Sequence, residues 1–258
     1  MQNQAQAVEE IQIKPQTTKE NEKISVFSKE YWIKAAKLFK STKILTFAAL
    51  ICALRIAIKS LSIQIAPGVF LSFDCYVNAI GAIVCGPLVG LIIGAVSDTV
   101  GAILFPKGAY FFPFIFVEMS STFLFALFLW NRKVTPSRAM LAKFTVNVFC
   151  NLILNTIFIK WNYAIIGADK AYPFINGVRI VKNLITFPLE AVLICVLLNA
   201  LMPALSSLRF IEKGNRIEKI QTKHIVQAVV LAILSVLLIL FYVFFLKEFM
   251  AEHNFKLF

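Results

Sequence analysis

Long apolar stretches broken by short polar ones dominate the chain from about residue 44 onward. In windows of about 19 residues, the length suited to crossing a hydrocarbon core, seven stretches qualify: 44–66, 70–85, 88–105, 110–130, 144–166, 178–201 and 224–246. The second and third are short and only Gly86 and Pro87 separate them, so the pattern predicts a tight helical hairpin. Residues 28–43 place Tyr31, Ala35, Leu38 and Phe39 at helical spacing, with Lys29, Lys37 and Lys40 elsewhere on the wheel. That predicts an amphipathic helix on the membrane surface, with Ser28 as its cap. Residues 1–27 are polar and expected to be disordered. A basic loop, 202–223, precedes the last segment, 224–258, whose notable polar residues are Gln227 and Ser235 and which reads as a peripheral anchor. The predicted fold is an all-α integral membrane protein: a six-helix domain over 44–201, an extra C-terminal transmembrane helix, and an interfacial helix in front.

Composition agrees with this reading. The chain is 59% hydrophobic and 16% charged and contains 25 Phe, far from a soluble domain. A net charge of +12 would ordinarily suggest a nucleic-acid partner, but its placement explains it. Eight lysines precede the first span (Lys14 to Lys43), Arg132, Lys133, Arg138 and Lys143 fall in a loop over 131–143, and Arg209, Lys213, Arg216, Lys219 and Lys223 in the loop over 202–223. With a cytoplasmic N-terminus all of these lie inside, as the positive-inside rule requires of a plasma-membrane protein; no nucleic acid is implied.

The five cysteines stand singly in apolar helices and read as small core residues. His224 and His253 lie at or beyond the edge of the last span, which argues against a histidine-based metal or catalytic centre. No GxxxxGK[ST], HExxH or GxSxG pattern occurs, so the chain has neither its own ATPase nor a recognisable hydrolytic site. A small bundle with a site and no engine implies a partner. On the first span Ala49, Ala53 and Ala57 line up four residues apart, a face suited to close helix approach, either within the bundle or against a second membrane protein.

Charges inside spans are costly and mark pathways or ligand sites. Counted by depth, Lys59, Asp74, Asp98, Glu118, Lys160, Arg179 and Lys182 fall in the outer half, Arg55 near the midplane and Glu190 in the inner half. Tyr76, Asn155 and Asn183 share the outer level, and Phe70, Phe73, Tyr110, Phe111, Phe112 and Phe114 supply aromatic surface there. The expected site is a cup open to the outside, with a small positive excess suited to an anionic ligand that also offers hydrogen-bond donors. For single charges, structural pairing is the alternative: Asp98 or Glu190 would be matched to a base that holds helices together, and Lys59, Lys160 and Lys182 can snorkel. Two other functions remain open: a lipid-modifying membrane enzyme using Asp98 and Glu118 as acid and base, and a non-transporting scaffold.

The stretches YW at Tyr31 and Trp32, ALICALRIAIKSLSI from Ala49, GPLVGLIIGAVSDTVGAILFPKGAYF from Gly86 and RIVKNLITFPLE from Arg179 resemble the substrate-binding S components of energy-coupling factor (ECF) vitamin transporters, most closely the folate branch. The resemblance implies a non-enzymatic subunit that captures folate or a related vitamin from outside. Its partners would be a transmembrane coupling (T) subunit and two cytoplasmic ATPases; ATP is used by those partners and this chain carries no cofactor. The alanine face would meet the coupling subunit. In such a cup Arg55, Arg179 and Lys182 would pair with the glutamate carboxylates of folate, and Glu118 or Asp74 would accept from the pterin amino edge. The connector 64–72, with Pro67 and Gly68, would act as a gate. Phe70 stands where that branch is expected to carry a basic residue, and Asp74 and Val77 where it is expected to carry Gly and Pro. A different heterocyclic vitamin is therefore the first alternative.

Overall fold

The computed structural model describes residues 25–61, 63–66, 69–71, 73–106, 110–167, 177–211 and 221–241; residues 1–24, on which the expectation of a disordered N-terminus falls, lie outside the described residues. The first helix, α1 (Lys29–Lys37), begins where Ser28 Oγ accepts the backbone N–H of Tyr31 at 3.3 Å. A 3-10 turn over Leu38–Lys40 follows, and the chain bends by 83° into α2 (Thr42–Ser60), capped in turn by Ser41.

The amphipathic helix is present, but Tyr31 and Ala35 turn into the bundle. The Tyr31 ring packs edge-on against Trp130 at 4.8 Å and Trp32 at 5.4 Å, and Lys34 Nζ donates to Asn131 Oδ1 at 2.7 Å. Burial pushes the Tyr31 phenol up to about 12, so it stays un-ionised. Phe27, Ile33 and Phe39 are the apolar side chains left exposed around this helix.

After α2 the chain makes a short antiparallel hairpin, β1 (Ile63–Ala66) with β2 (Val69–Leu71), Gln64 opposite Phe70. The fold is otherwise helical, as expected; the hairpin shortens the second apolar stretch, whose helix starts at Asp74 instead of at 70. The strands flank the Pro67-Gly68 pair, a turn signal.

The next element, α3 (Asp74–Leu104), is a folded pair of arms. Gly86 has φ 67 and ψ −176, a combination open essentially only to glycine. A straight helix would hold Asp74 and Asp98 about 36 Å apart. Instead Asp74 lies 3.8 Å from Arg55, and Asp98 pairs with Lys59, one turn further along α2. One level inward, Asn78 of the first arm and Gly90 of the second both meet Thr122. The arms therefore run side by side and antiparallel, as the Gly86-Pro87 pair predicts, with the turn pressed on the Trp130 indole. Helix α4 (Phe114–Leu129) packs along both arms; a Cβ on Gly94 would come within 2.8 Å of Met119 Cα, so only glycine allows this approach.

Thr135 caps α5 (Pro136–Val146), with Pro136 in its first turn, and the helix continues through a π segment (Asn147–Leu154) into α6 (Asn155–Ile165). The expected loop over 131–143 thus ends at 135. Lys143, assigned above to a cytoplasmic loop, is instead a buried side chain two turns into a helix.

The bundle is completed by α7 (Gly177–Ser207) and α8 (Thr222–Phe241). The expected basic loop accordingly begins after 207. At the end of α7, Arg209 takes φ +56 and Phe210 N–H returns to Leu205 O at 3.0 Å. Lys43 donates to the Leu208 carbonyl there and lies 4.5 Å above the Phe210 ring, placing a cation at a helix C-terminus and tying α2 to α7. Helix α8 rests on α5 and α7, with Gln227 Nε2 on Ser137 O at 3.3 Å and the buried His224 accepting Gln221 N–H at 3.0 Å. Among the described residues, three helical runs are long and apolar enough to cross a membrane: 74–104, 136–165 and 189–207. The first of these is the folded pair.

Candidate functional site

Five charged side chains meet where α2, the two arms of α3 and α4 converge. Arg55 is fully buried; its guanidinium pairs with Glu118, lies 3.8 Å from Asp74 and donates to Thr122 Oγ1 at 3.3 Å. One turn further along α2, Lys59 pairs with Asp98 and lies 3.9 Å from Glu118. Thr122 passes the network on to Asn78 Oδ1 at 2.9 Å, and Asn78 Nδ2 donates to Ser121 at 3.3 Å.

Among the described residues the group contains two cations and three carboxylates; Arg179 and Lys182, which the expected positive excess includes, have side chains outside the described residues. Arg55 is buried among its own partners and holds Glu118 and Asp74. Lys59 likewise holds Asp98 and does not snorkel. Glu118 and Asp74 keep part of their surface, with side chains 22% and 15% exposed.

A second pair lies on the other flank of α3. Lys143 Nζ is 2.9 Å from Glu190 on α7, and Lys143 also reaches the Cys75 thiol, next to Asp74. Glu190 is thus matched by a base, one of the two readings the sequence left open. Its partner was hidden because a Thr-Pro helix start was taken for a loop.

Aromatic rings rim the end of the bundle at which α3 and α4 begin. Phe111 stands edge-on to Phe114 at 5.6 Å and to Trp161 at 5.7 Å, and Trp161 neighbours Phe158 at 6.4 Å. Phe73, 41% exposed, stacks on Tyr76 at 6.4 Å. Tyr110 shares a hydrogen bond with Thr99 at 3.4 Å. Phe112 pairs with Phe116 at 6.0 Å and is largely exposed. Trp161 and Phe158, missed in the sequence, sit one turn apart on α6 and were recoverable from that spacing.

Among the other expected site residues, Asn155 opens α6 half-buried and Asn183 is buried on α7. Arg179 and Lys182 belong to the first turns of α7 and Phe70 to β2, but their side chains lie outside the described residues. Ala49, Ala53 and Ala57 are all exposed, beside Leu50 and Leu54. The alanine face therefore points away from the bundle.

Apolar helices closed around a charged, aromatic-rimmed group define a membrane subunit with an intramembrane polar site. Residues 43–198 match the family described as ECF transporter, substrate-specific component, and the chain belongs to that family. The folate transporter FolT of Clostridium novyi (strain NT) is 33% identical over 156 residues, 60% of this chain and 87% of that protein. FolT of Leuconostoc mesenteroides is 30% identical over 115 residues, 44% of this chain and 62% of its own length. The crystal structure of FolT bound with folic acid has a TM-score of 0.52 at 25% identity, covering 58% of this chain and 88% of that one. Helices α1 and α8 fall outside the matched range.

Proposed function

We propose that this chain captures folate at the outer face of the plasma membrane, its N-terminus in the cytoplasm, and delivers it with a transmembrane coupling subunit and two ATPases. The observation that carries the reading is the Glu118 and Asp74 pair: two partly open carboxylates, held by a buried arginine, are acceptors suited to the amino and ring N–H edge of a pterin. Rings such as Phe111 and Trp161 offer flat surface for the heterocycle. The folate carboxylates are assigned to Arg179 and Lys182, leaving Arg55 to its structural partners. The chain itself catalyses no reaction, because capture and release use binding energy and the partners hydrolyse ATP.

Titration of the purified full-length chain with folate is expected to give saturable quenching of tryptophan fluorescence. Glu118→Gln removes one charge-assisted acceptor and is expected to weaken binding roughly 10- to 100-fold. Absence of binding to folate would overturn the assignment, and saturation by another heterocyclic vitamin would redirect it.

The exposed alanine face on α2 is the surface offered to the coupling subunit. Small side chains there let a second helix approach closely, and a bulky one holds it off. Ala53→Trp is expected to abolish copurification of the coupling subunit and ATPases while leaving folate affinity unchanged. An intact complex would remove this face from the interface.

A further inference from the structure

Besides Arg55 Nε in the charged group itself, two buried polar atoms near the Lys143–Glu190 pair are left unanswered among the described residues. Asn147 is 5% exposed and its Nδ2 has no hydrogen-bond partner among the described residues; Thr186 Oγ1 is buried in the same condition. Such groups are rarely left unmatched in a finished structure.

The two atoms sit at one level on facing helices. Cys195 Sγ reaches Pro136 O at 3.8 Å, and Glu190 reaches Lys143 at 2.9 Å. As numbers rise along α5 they fall along α7, so the helices are antiparallel. One turn beyond the ion pair brings Asn147 level with Thr186. Asn151 Nδ2 donates to Asn147 Oδ1 at 3.0 Å, which occupies the acceptor of that amide and leaves its N–H group to point elsewhere. The π segment opens at Asn147 itself, a local geometry frequent at functional sites. The π segment that Asn147 opens also packs against α4, which carries Glu118, so this station adjoins the carboxylates that face Arg55.

We propose that Asn147 and Thr186 determine ligand specificity: they hydrogen-bond the ring carbonyl of a bound lactam heterocycle whose N–H and amino edge lies on Glu118 and Asp74. The inference rests on the folate reading, because a pterin carries an oxo acceptor beside a ring N–H and an amino donor. Carboxylates on one side and an amide N–H on the other then read adjacent donors and an acceptor in order. A ligand with an amine in place of the oxo group would set a donor against a donor.

The test is calorimetric titration of the full-length protein with folate and with its 2,4-diamino analogue, in which the oxo group is replaced by an amine. The wild type is expected to favour folate by at least roughly tenfold. Asn147→Leu is expected to lose about that factor for folate and little for the analogue, and Asn147→Asp, which turns a donor into an acceptor, to reverse the preference. Thr186→Val, nearly isosteric, is expected to narrow the ratio in the same direction and decides the matter if the Asn147 variants do not fold. Equal losses for both ligands, or a ratio unchanged in every variant, would overturn the inference and assign the two atoms to buried water or to packing. A wild type that binds no folate would overturn the functional reading and this inference together. A wild type that binds folate with an unaltered ratio in the variants would overturn this inference alone.

Discussion

Arg55→Met is expected to cost about 3–5 kcal/mol of stability and to abolish ligand capture, because it leaves carboxylates buried without their counter-ion. Arg55 is fully buried and pairs with Glu118 while lying 3.8 Å from Asp74. Methionine preserves much of the apolar stem and removes only the guanidinium, so the loss reads the charge, not a cavity. The deficit extends beyond the pair: Thr122 loses the donor it accepts from and with it the fixed orientation of Asn78.

Thermal unfolding in detergent measures the first effect and folate titration the second. Adding Glu118→Gln to Arg55→Met is expected to recover part of the stability, since one uncompensated charge is gone, while binding stays lost. That split separates a holder of the site from a direct ligand contact. An Arg55→Met variant that keeps both its unfolding temperature and its folate affinity would show that Glu118 and Asp74 do not need the guanidinium.

The readable parts of this fold are those in which a local rule has no competitor. Gly86-Pro87 between two short apolar runs predicts a turn, and the φ of 67 at Gly86 delivers it. Ser28 predicts a cap and provides one. Membership of the ECF substrate-specific family was legible from the SD..G..LFP.G.YF and R..KN....PLE blocks. A shared level for Lys59, Asp74, Asp98 and Glu118 follows from counting residues along alternating helices, and these four do converge.

What stayed hidden depends on partners distant in sequence. Whether Ala49, Ala53 and Ala57 face the bundle or the lipid is set by the opposite side of α2, where Ile51 and Arg55 are buried. That side carries no stronger periodic signal, because the whole helix is apolar. The total of five basic and four acidic groups within spans suggests an anion site, but charge acts over ångströms, and which carboxylate meets which base, as Asp98 meets Lys59, depends on helices distant in sequence. Lys143 went astray because a basic residue near a span end is usually a loop residue; Thr135 and Pro136 give the true helix start. The π segment has no sequence code, so the inward placement of Asn147 could not be read beforehand.

Gly86→Ala is the second substitution with a large expected effect, about 2–6 kcal/mol, because two independent costs fall on one methyl group. The backbone at φ 67 and ψ −176 lies where residues with a Cβ pay roughly 1–3 kcal/mol. The new Cβ would also stand 2.8 Å from Trp130 Cε2, an overpacking worth about 1–3 kcal/mol where the neighbour cannot retreat. Trp130 is held against retreat by Tyr31, at 4.8 Å. Relief therefore requires the two arms of α3 to splay, and their far ends carry Asp74 and Asp98. Folate affinity is expected to fall together with the unfolding temperature, although Gly86 is at the opposite end of both arms from the site. Trp130→Phe placed on Gly86→Ala is expected to return the packing part only, leaving the backbone part in place. Full recovery in that double variant would mean that the turn tolerates a Cβ and that the indole alone excludes it.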